Sequence, residues 1–249
     1  MEQPISVNDF EAEIIRRYIA SGYPKSRWNL AGRAAKRSID IVGALVGLGL
    51  LLLPFVIVAV AIKLESRGSV FFLRPRVGRG GMFFNPWKFR TMVEDAINIG
   101  DGFTVTRHDS RITRVGRLLR NWSVDELPQL FNVLLGEMSL VGPRPSWPHE
   151  VMQFDEAQLG RLRVRPGVTG LAAVSGRNTV PWEKRLQIDN MYIEEWSLWL
   201  DLKVIAVTPW KIAKKEGVYG TGGVNPSLAL HNANDDNILP PAQSETKID

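Results

Sequence analysis

The sequence has no cysteine, which excludes disulfides, thiolate catalysis and zinc–cysteine sites. Histidine is scarce too: His108, His149 and His231 are scattered and show no metal-ligand spacing. Any metal must therefore be held mainly by oxygen ligands, which favours a hard ion such as magnesium. No cleavable signal peptide is visible, because Met1 to Asn29 is polar and mixed in charge. Internal repeats are also lacking. The glycines of Gly78-Arg-Gly-Gly81 do not have the GxGxxG spacing of a dinucleotide fingerprint and read instead as a hairpin turn.

The 249 residues carry a formal net charge of +5. That balance suggests anionic partners: nucleic acid, acidic lipid or phosphorylated substrates. Between Ile41 and Ile62 runs a stretch without a single charge, IVGALVGLGLLLLPFVIVAVAI. At about 1.5 Å per residue its 22 residues make a helix of roughly 33 Å, enough for a bilayer core of about 30 Å. Soluble core helices seldom stay apolar on every face for so long. Lys36 and Arg37 precede the run while Lys63 and Arg67 follow it, so flanking charge gives no orientation. Pro54 removes a helix hydrogen bond beyond the middle and favours a kink. A helix that re-enters on its own side and one that spans both fit these features. A nucleic-acid binder would leave the run unexplained.

The chain divides into a polar leader at 1–35, with a short amphipathic helix around Phe10–Ile19, and a membrane segment at 36–66. A globular region follows at 67–220, then a tail at 221–249 rich in Gly, Asn, Asp and Pro that reads as disordered. Val70–Val77 and Met82–Met92 read as two strands. Helical spacing appears over 111–120, and again from Ser123 to Leu135 with Leu127, Leu130, Phe131 and Leu134 inward. The stretch 140–170 reads as loop, and a helix is expected from Glu183 to Leu202, with a more broken one reaching Lys215.

The acidic pair Asp125-Glu126 lies within Ser123-Val-Asp-Glu-Leu-Pro-Gln129. Ser123 and Glu126 have capping-box spacing, although Pro128 fits poorly in a helix started at Ser123. Either start places both carboxylates in a first helical turn. Such a turn favours anions, so it should keep Asp125 ionised and could receive a phosphate. Adjacent residues project about 100° apart, so one carboxylate could attack phosphorus while the other binds a metal or orients a group.

Arginines crowd both sides: Arg107, Arg111, Arg114, Arg117 and Arg120 before the pair, then Arg144, Arg161, Arg163 and Arg165 after it. Their planar forks suit phosphate oxygens, while most of Arg111–Arg117 reads as a solvated or lipid-facing stripe. Pro143 and Pro145 fix where Arg144 points. Lys88 and Arg90 have strand spacing that puts both cations on one face. Trp196, Trp199 and Trp210 with Lys203, Lys211, Lys214 and Lys215 suit either an interfacial membrane helix or aromatic core packing.

Five motifs then appear in order. Lys36-Arg37…Asp40 with the apolar run is followed by Lys88-Phe-Arg-Thr-Met92, Asp125-Glu-Leu-Pro-Gln129, Gly142-Pro-Arg-Pro145 and Arg165-Pro-Gly-Val-Thr-Gly170. Together they resemble the bacterial sugar transferases, the monotopic polyprenyl-phosphate phosphoglycosyl transferases, over about residues 33–220. The resemblance implies a helix-rich α/β catalytic domain on the cytoplasmic face of the bacterial inner membrane, anchored by one re-entrant helix kinked at Pro54. It implies magnesium held at Asp125 and Glu126, a UDP-sugar donor and an undecaprenyl phosphate acceptor, with membrane lipid but no nucleic acid as partner. Asp125 would be the covalent nucleophile and Glu126 its support. Lys88, Arg90, Arg120, Arg144 and Arg165 would bind phosphate or substrate. Many relatives break the membrane helix at Ser-Pro, where this chain has Leu53-Pro54. A non-catalytic scaffold for polysaccharide assembly is the alternative, and the sugar and the oligomeric state, homo-oligomer included, stay open.

Overall fold

The computed structural model describes residues 7–22, 28–96, 99, 105–106, 108–215 and 217–218. Arg107 and the tail at 221–249 lie outside the described residues. Within them the fold is a helix-rich mixture with short strands and one long apolar helix.

Helix α1, Val7–Ala20, forms where the amphipathic leader helix is expected. It is not an appendage. Ile14 is wholly buried among Val77, Val151, Phe154, Leu159, Leu162 and Leu186. The Arg17 guanidinium donates to the carbonyls of Val151 (3.2 Å), Met152 (2.5 Å) and Phe154 (2.5 Å). Glu11 accepts from the Phe83 amide at 2.7 Å. The leader therefore shares a hydrophobic core with residues that follow the long apolar segment.

Helix α2, Leu30–Glu65, is capped by the Asn29 side chain and runs without a break through Pro54. Its 36 residues amount to roughly 54 Å at a helical rise. One face is held along its length. Lys36 pairs with Asp201 at 2.7 Å, and Asp40 accepts from Ser139 Oγ and the Leu140 amide, both at 2.9 Å. Ala44, Leu48 and Leu51 pack on the cluster around Leu130 and Val133, and Phe55, Val58 and Ile62 on Phe89 and Leu119. The opposite face, including Leu45, Leu50, Leu53, Ile57 and Val60, is exposed.

Strands β1 (Phe71–Phe72), β2 (Arg76–Val77), β3 (Phe83–Phe84) and β4 (Lys88–Phe89) form one interrupted hairpin rather than the two long strands expected. The outer pair β1–β4 and the inner pair β2–β3 keep a common register across the gap. Pro75 and Pro86 lie in that gap, and neither has an N–H to continue the ladder. At the tip Gly80 and Gly81 take positive φ, as a tight turn requires.

Helix α3, Arg114–Trp122, is capped by Thr113 and by the Glu65 carboxylate, which accepts from the amides of Arg114 (2.7 Å) and Val115 (2.9 Å). The helix expected from Ser123 to Leu135 is two pieces: a 3-10 turn at Val124–Gln129, which accommodates Pro128, and α4, Leu130–Leu135. Inside it, Val133 and Asn132 are buried, whereas Phe131 is exposed. The stretch expected to be loop holds β5 (Ser139–Val141), α5 (Pro148–Met152), α6 (Glu156–Leu159) and β6 (Gly167–Thr169), with β5 and β6 parallel. Gly142 and Gly167 mark a close backbone approach beside this pair: a Cβ on Gly167 would lie 2.1 Å from the Gly142 nitrogen.

Helices α7 (Leu171–Ser175), α8 (Trp182–Glu194) and α9 (Leu198–Ala213) are the last helices among the described residues. The single helix expected from Glu183 to Leu202 is split because Ser197 is extended and caps α9 through its side chain. Beyond that point α9 is continuous, not broken.

Candidate functional site

The site is built where α3 ends. Ser123 adopts the left-handed conformation (φ 54°), which turns the chain into the 3-10 segment and sets Asp125 and Glu126 in its first turn. The Ser123–Glu126 capping box does not form, since no side-chain cap bond closes the turn. Ser123 Oγ accepts instead from the Arg177 guanidinium.

The two carboxylates have different surroundings. Glu126 receives Lys88 Nζ on Oε1 at 2.6 Å and a fork from Arg144, at 2.8 Å on Oε1 and 3.1 Å on Oε2. Its side chain is 18% exposed. Burial pushes its carboxyl up, but the Arg144 and Lys88 charges reverse this and hold it well below the ordinary range. The carboxylate of Asp125, by contrast, has no hydrogen-bond or ion-pair partner among the described residues. Burial, reinforced by the Glu126 charge, raises its carboxyl above the usual value, with Lys88, Arg120 and Arg144 opposing. A first-turn position was expected to keep Asp125 ionised. The turn is short and the group half-buried, and desolvation outweighs the field of the helix end in setting the direction of the shift.

The cations expected to bind phosphate separate into two groups. Lys88 and Arg144 meet at Glu126. Arg120 stands beside them, its Nε on Thr91 Oγ1 at 2.8 Å and its charge felt by Asp125. Arg90 and Arg165 are elsewhere. Arg90 closes the end of α2, donating to Ser66 O at 2.9 Å, to Ser66 Oγ at 3.1 Å and to the Arg67 carbonyl. Arg165 Nε donates to Gly136 O at 2.6 Å, and Arg37 binds the carbonyls of Val133 and Leu134, so both arginines cap α4. Lys88 and Arg90 thus bind different partners despite their strand spacing. Arg111, expected on a solvated stripe, is buried and paired with Asp109 at 2.7 Å.

Sequence reasoning missed three arginines. Arg177 sits at positive φ beside Gly176 and feels the charges of both Asp125 and Glu126. Arg76 and Arg185 line the adjoining cleft with Arg144. Only Arg177, next to a glycine in a polar loop, carried a local signal.

As a metal site the dyad does not fit as arranged. Both Glu126 oxygens are taken by cations, and no cluster of three His, Asp or Glu exists among the described residues. Asp125 alone offers an open carboxylate.

Residues 31–215 match the family model described as bacterial sugar transferase. The chain belongs to the bacterial sugar transferase family. This family member is 43% identical over 199 residues to the undecaprenyl-phosphate glucose phosphotransferase of Komagataeibacter xylinus, covering 74% of this chain and 36% of the relative. It is 40% identical over 202 residues to the exopolysaccharide production protein ExoY of Rhizobium meliloti (strain 1021), covering 76% and 89% respectively. Against the UDP-glucose:undecaprenyl-phosphate glucose-1-phosphate transferase of Xanthomonas campestris pv. campestris it is 39% identical over 209 residues, covering 80% and 42%. The chain thus spans nearly all of one relative and well under half of the other two. Helix α1 lies outside the family match.

Proposed function

We propose that this transferase moves a sugar 1-phosphate from a UDP-sugar to undecaprenyl phosphate and releases UMP, with Asp125 as covalent nucleophile. The observation that carries the reading is the unequal pair: Glu126 is fully committed to Lys88 and Arg144, while Asp125 beside it is half-buried and has no partner among the described residues. Glu126 thereby holds two cations in place, and Asp125 keeps its oxygens free. A carboxylate partly stripped of water is a stronger nucleophile than a fully solvated one. In the first step an Asp125 oxygen bonds to the β-phosphorus, and the bond from that phosphorus to the oxygen bridging it to the α-phosphorus breaks. UMP leaves with that electron pair. In the second step an oxygen of the lipid phosphate bonds to the same phosphorus, and Asp125 departs as carboxylate. Two substrates of opposite solubility can then use one small site in turn. Lys88, Arg120, Arg144 and Arg177 outnumber the two carboxylates, and their fixed charge suits a diphosphate. Magnesium would belong to the donor's diphosphate, since the protein supplies at most the Asp125 carboxylate.

The same proposal places α2 in the bacterial inner membrane without crossing it, and the catalytic domain on the cytoplasmic face. What supports this is connectivity. Helix α1 precedes α2, yet Ile14 is buried with Val151 and Phe154 from beyond it. That shared packing supports both flanks of the apolar helix lying on one side of the bilayer, as its two basic ends favour. Single cysteines at Glu13 and Lys184 should both be shielded from an impermeant periplasmic reagent; labelling of Glu13 alone would restore a spanning helix.

The chemical half is tested by giving the protein donor without lipid. It should release at most about one UMP per site, and Asp125→Asn should release none. Turnover by Asp125→Asn at the wild-type rate would favour a different nucleophile, and absence of turnover by the wild type a non-catalytic scaffold.

A further inference from the structure

Beside the dyad lies a cleft of about 360 Å³ that shares Arg144 with it. Four guanidiniums line it, and they are unequally satisfied. Arg144 forks onto Glu126, and Arg161 binds Asp189 at 2.7 Å and Ser146 Oγ at 2.9 Å. Arg185 reaches only neutral oxygens, the Arg177 carbonyl at 2.9 Å and Asn178 Oδ1 at 3.5 Å. The Arg76 guanidinium makes no hydrogen bond or ion pair among the described residues and lies over the Trp147 ring, 3.1 Å from its centroid. One acid faces them, Glu150, whose carboxylate is already engaged by the Trp147 amide at 2.9 Å. Trp182 closes the far side, with Arg185 5.8 Å and Arg161 5.9 Å from its centroid. Its Nε1 and Arg161 Nε are buried donors without an acceptor.

Positive charge here exceeds what the protein compensates. Burial lowers Arg76 to about 9 and Arg185 to about 10, which is the cost of holding cations in a poorly solvated cleft. A bound anion would relieve that cost and supply acceptors for the open forks. The indole and guanidinium planes suit a flat heterocycle as well as phosphate. No residue of α2 lines the cleft, and a hydrocarbon chain would gain nothing against four guanidiniums.

We infer that this cleft is the nucleotide subsite, taking the uridine and α-phosphate of the donor and retaining UMP until it leaves. The inference rests on the transferase reading above and adds an orientation. The diphosphate lies at the shared Arg144 end, so that the β-phosphorus meets Asp125. The nucleoside extends toward Arg185 and Trp182.

The test uses the full chain in detergent and UMP as probe, by calorimetry, on wild type, Arg76→Leu, Arg76→Lys and Arg185→Gln. Losing a forked, charge-assisted contact should weaken UMP binding about tenfold or more in Arg76→Leu and Arg185→Gln. Arg76→Lys should recover only part of it, because it keeps charge without the fork. The KM for UDP-sugar should rise in step while that for polyprenyl phosphate stays within about twofold. Photolabelling of wild type with 5-azido-UMP should modify peptides 144–150 or 182–185, which keeps the idea testable if a variant fails to fold. Unchanged UMP affinity in folded variants, labelling confined to other peptides, or no UMP binding by wild type would each overturn the subsite. If wild type transfers sugar phosphate but UMP binding ignores Arg76 and Arg185, the subsite falls and the transferase stands. If UMP binding depends on both but no transfer occurs, the subsite stands and the transferase falls.

Discussion

Asp125 and Glu126 are neighbours in sequence with different environments, and that difference generates the predictions at the scale of single residues. Asp125 is useful only as carboxylate. Burial raises its carboxyl, so the charged form is lost as pH falls through a value above the ordinary aspartate figure of about 3.9. The rate of acceptor-free UMP release should therefore fall on the acid side at a pH above that figure. Lys88 lowers the Asp125 carboxyl, so Lys88→Met should move the acid limb to still higher pH. An unmoved limb would mean that Asp125 does not govern the step. Arg144→Lys should cost about tenfold or more in kcat/KM, since Lys cannot reproduce the fork on Glu126. Much of this site was legible in sequence, because Lys88, Asp125, Glu126 and Arg144 sit in short motifs. Arg90 and Arg165 were not separable from them. A guanidinium looks the same in sequence whether its fork meets a phosphate or the bare carbonyls at a helix end, which is where both of these go.

Among the elements, those with long periodic patterns were predictable and those set by contacts were not. Helices α1 and α2 and the Gly78–Gly81 turn follow from local sequence. The split of α8 from α9 depends on one serine taking an extended conformation, and the 3-10 turn at the dyad on a left-handed Ser123. Neither disturbs hydrophobic spacing. The docking of α1 was equally invisible, because it rests on Arg17 finding three carbonyls 134 to 137 residues away. Charged hydrogen bonds contribute about 1.5–3 kcal/mol, and about 1 kcal/mol shifts Tm by about 2–4 °C at this size. Arg17→Ala should thus lower Tm by several degrees; an unchanged Tm would show that α1 is only loosely seated. Gly116→Ala should destabilise more than its small size suggests, since its Cβ would come within 2.0 Å of the Thr91 carbonyl oxygen.

For the molecule as a whole, the arrangement separates two kinds of surface. The outward face of α2 is apolar, and α9 adds exposed Trp199 and Trp210 under Lys203 (5.4 Å) and Lys214 (5.2 Å). That is the composition of an interfacial surface. Trp196, read from sequence with those two, is half-buried against the core: it stacks on Trp28 at 4.1 Å and donates to Asp201 at 3.0 Å. The polar site is formed by other elements, with Asp125 open within it. Everything proposed for the reaction depends on that carboxylate becoming covalently attached. The most direct measurement is the mass of the intact protein after incubation with UDP-sugar in the absence of lipid, followed by peptide mapping. The protein should gain the mass of one sugar phosphate less water, located on the peptide carrying Asp125, and should lose it when polyprenyl phosphate is added. No adduct on that peptide, together with UMP release only when acceptor is present, would contradict the account and indicate direct transfer between the two bound substrates.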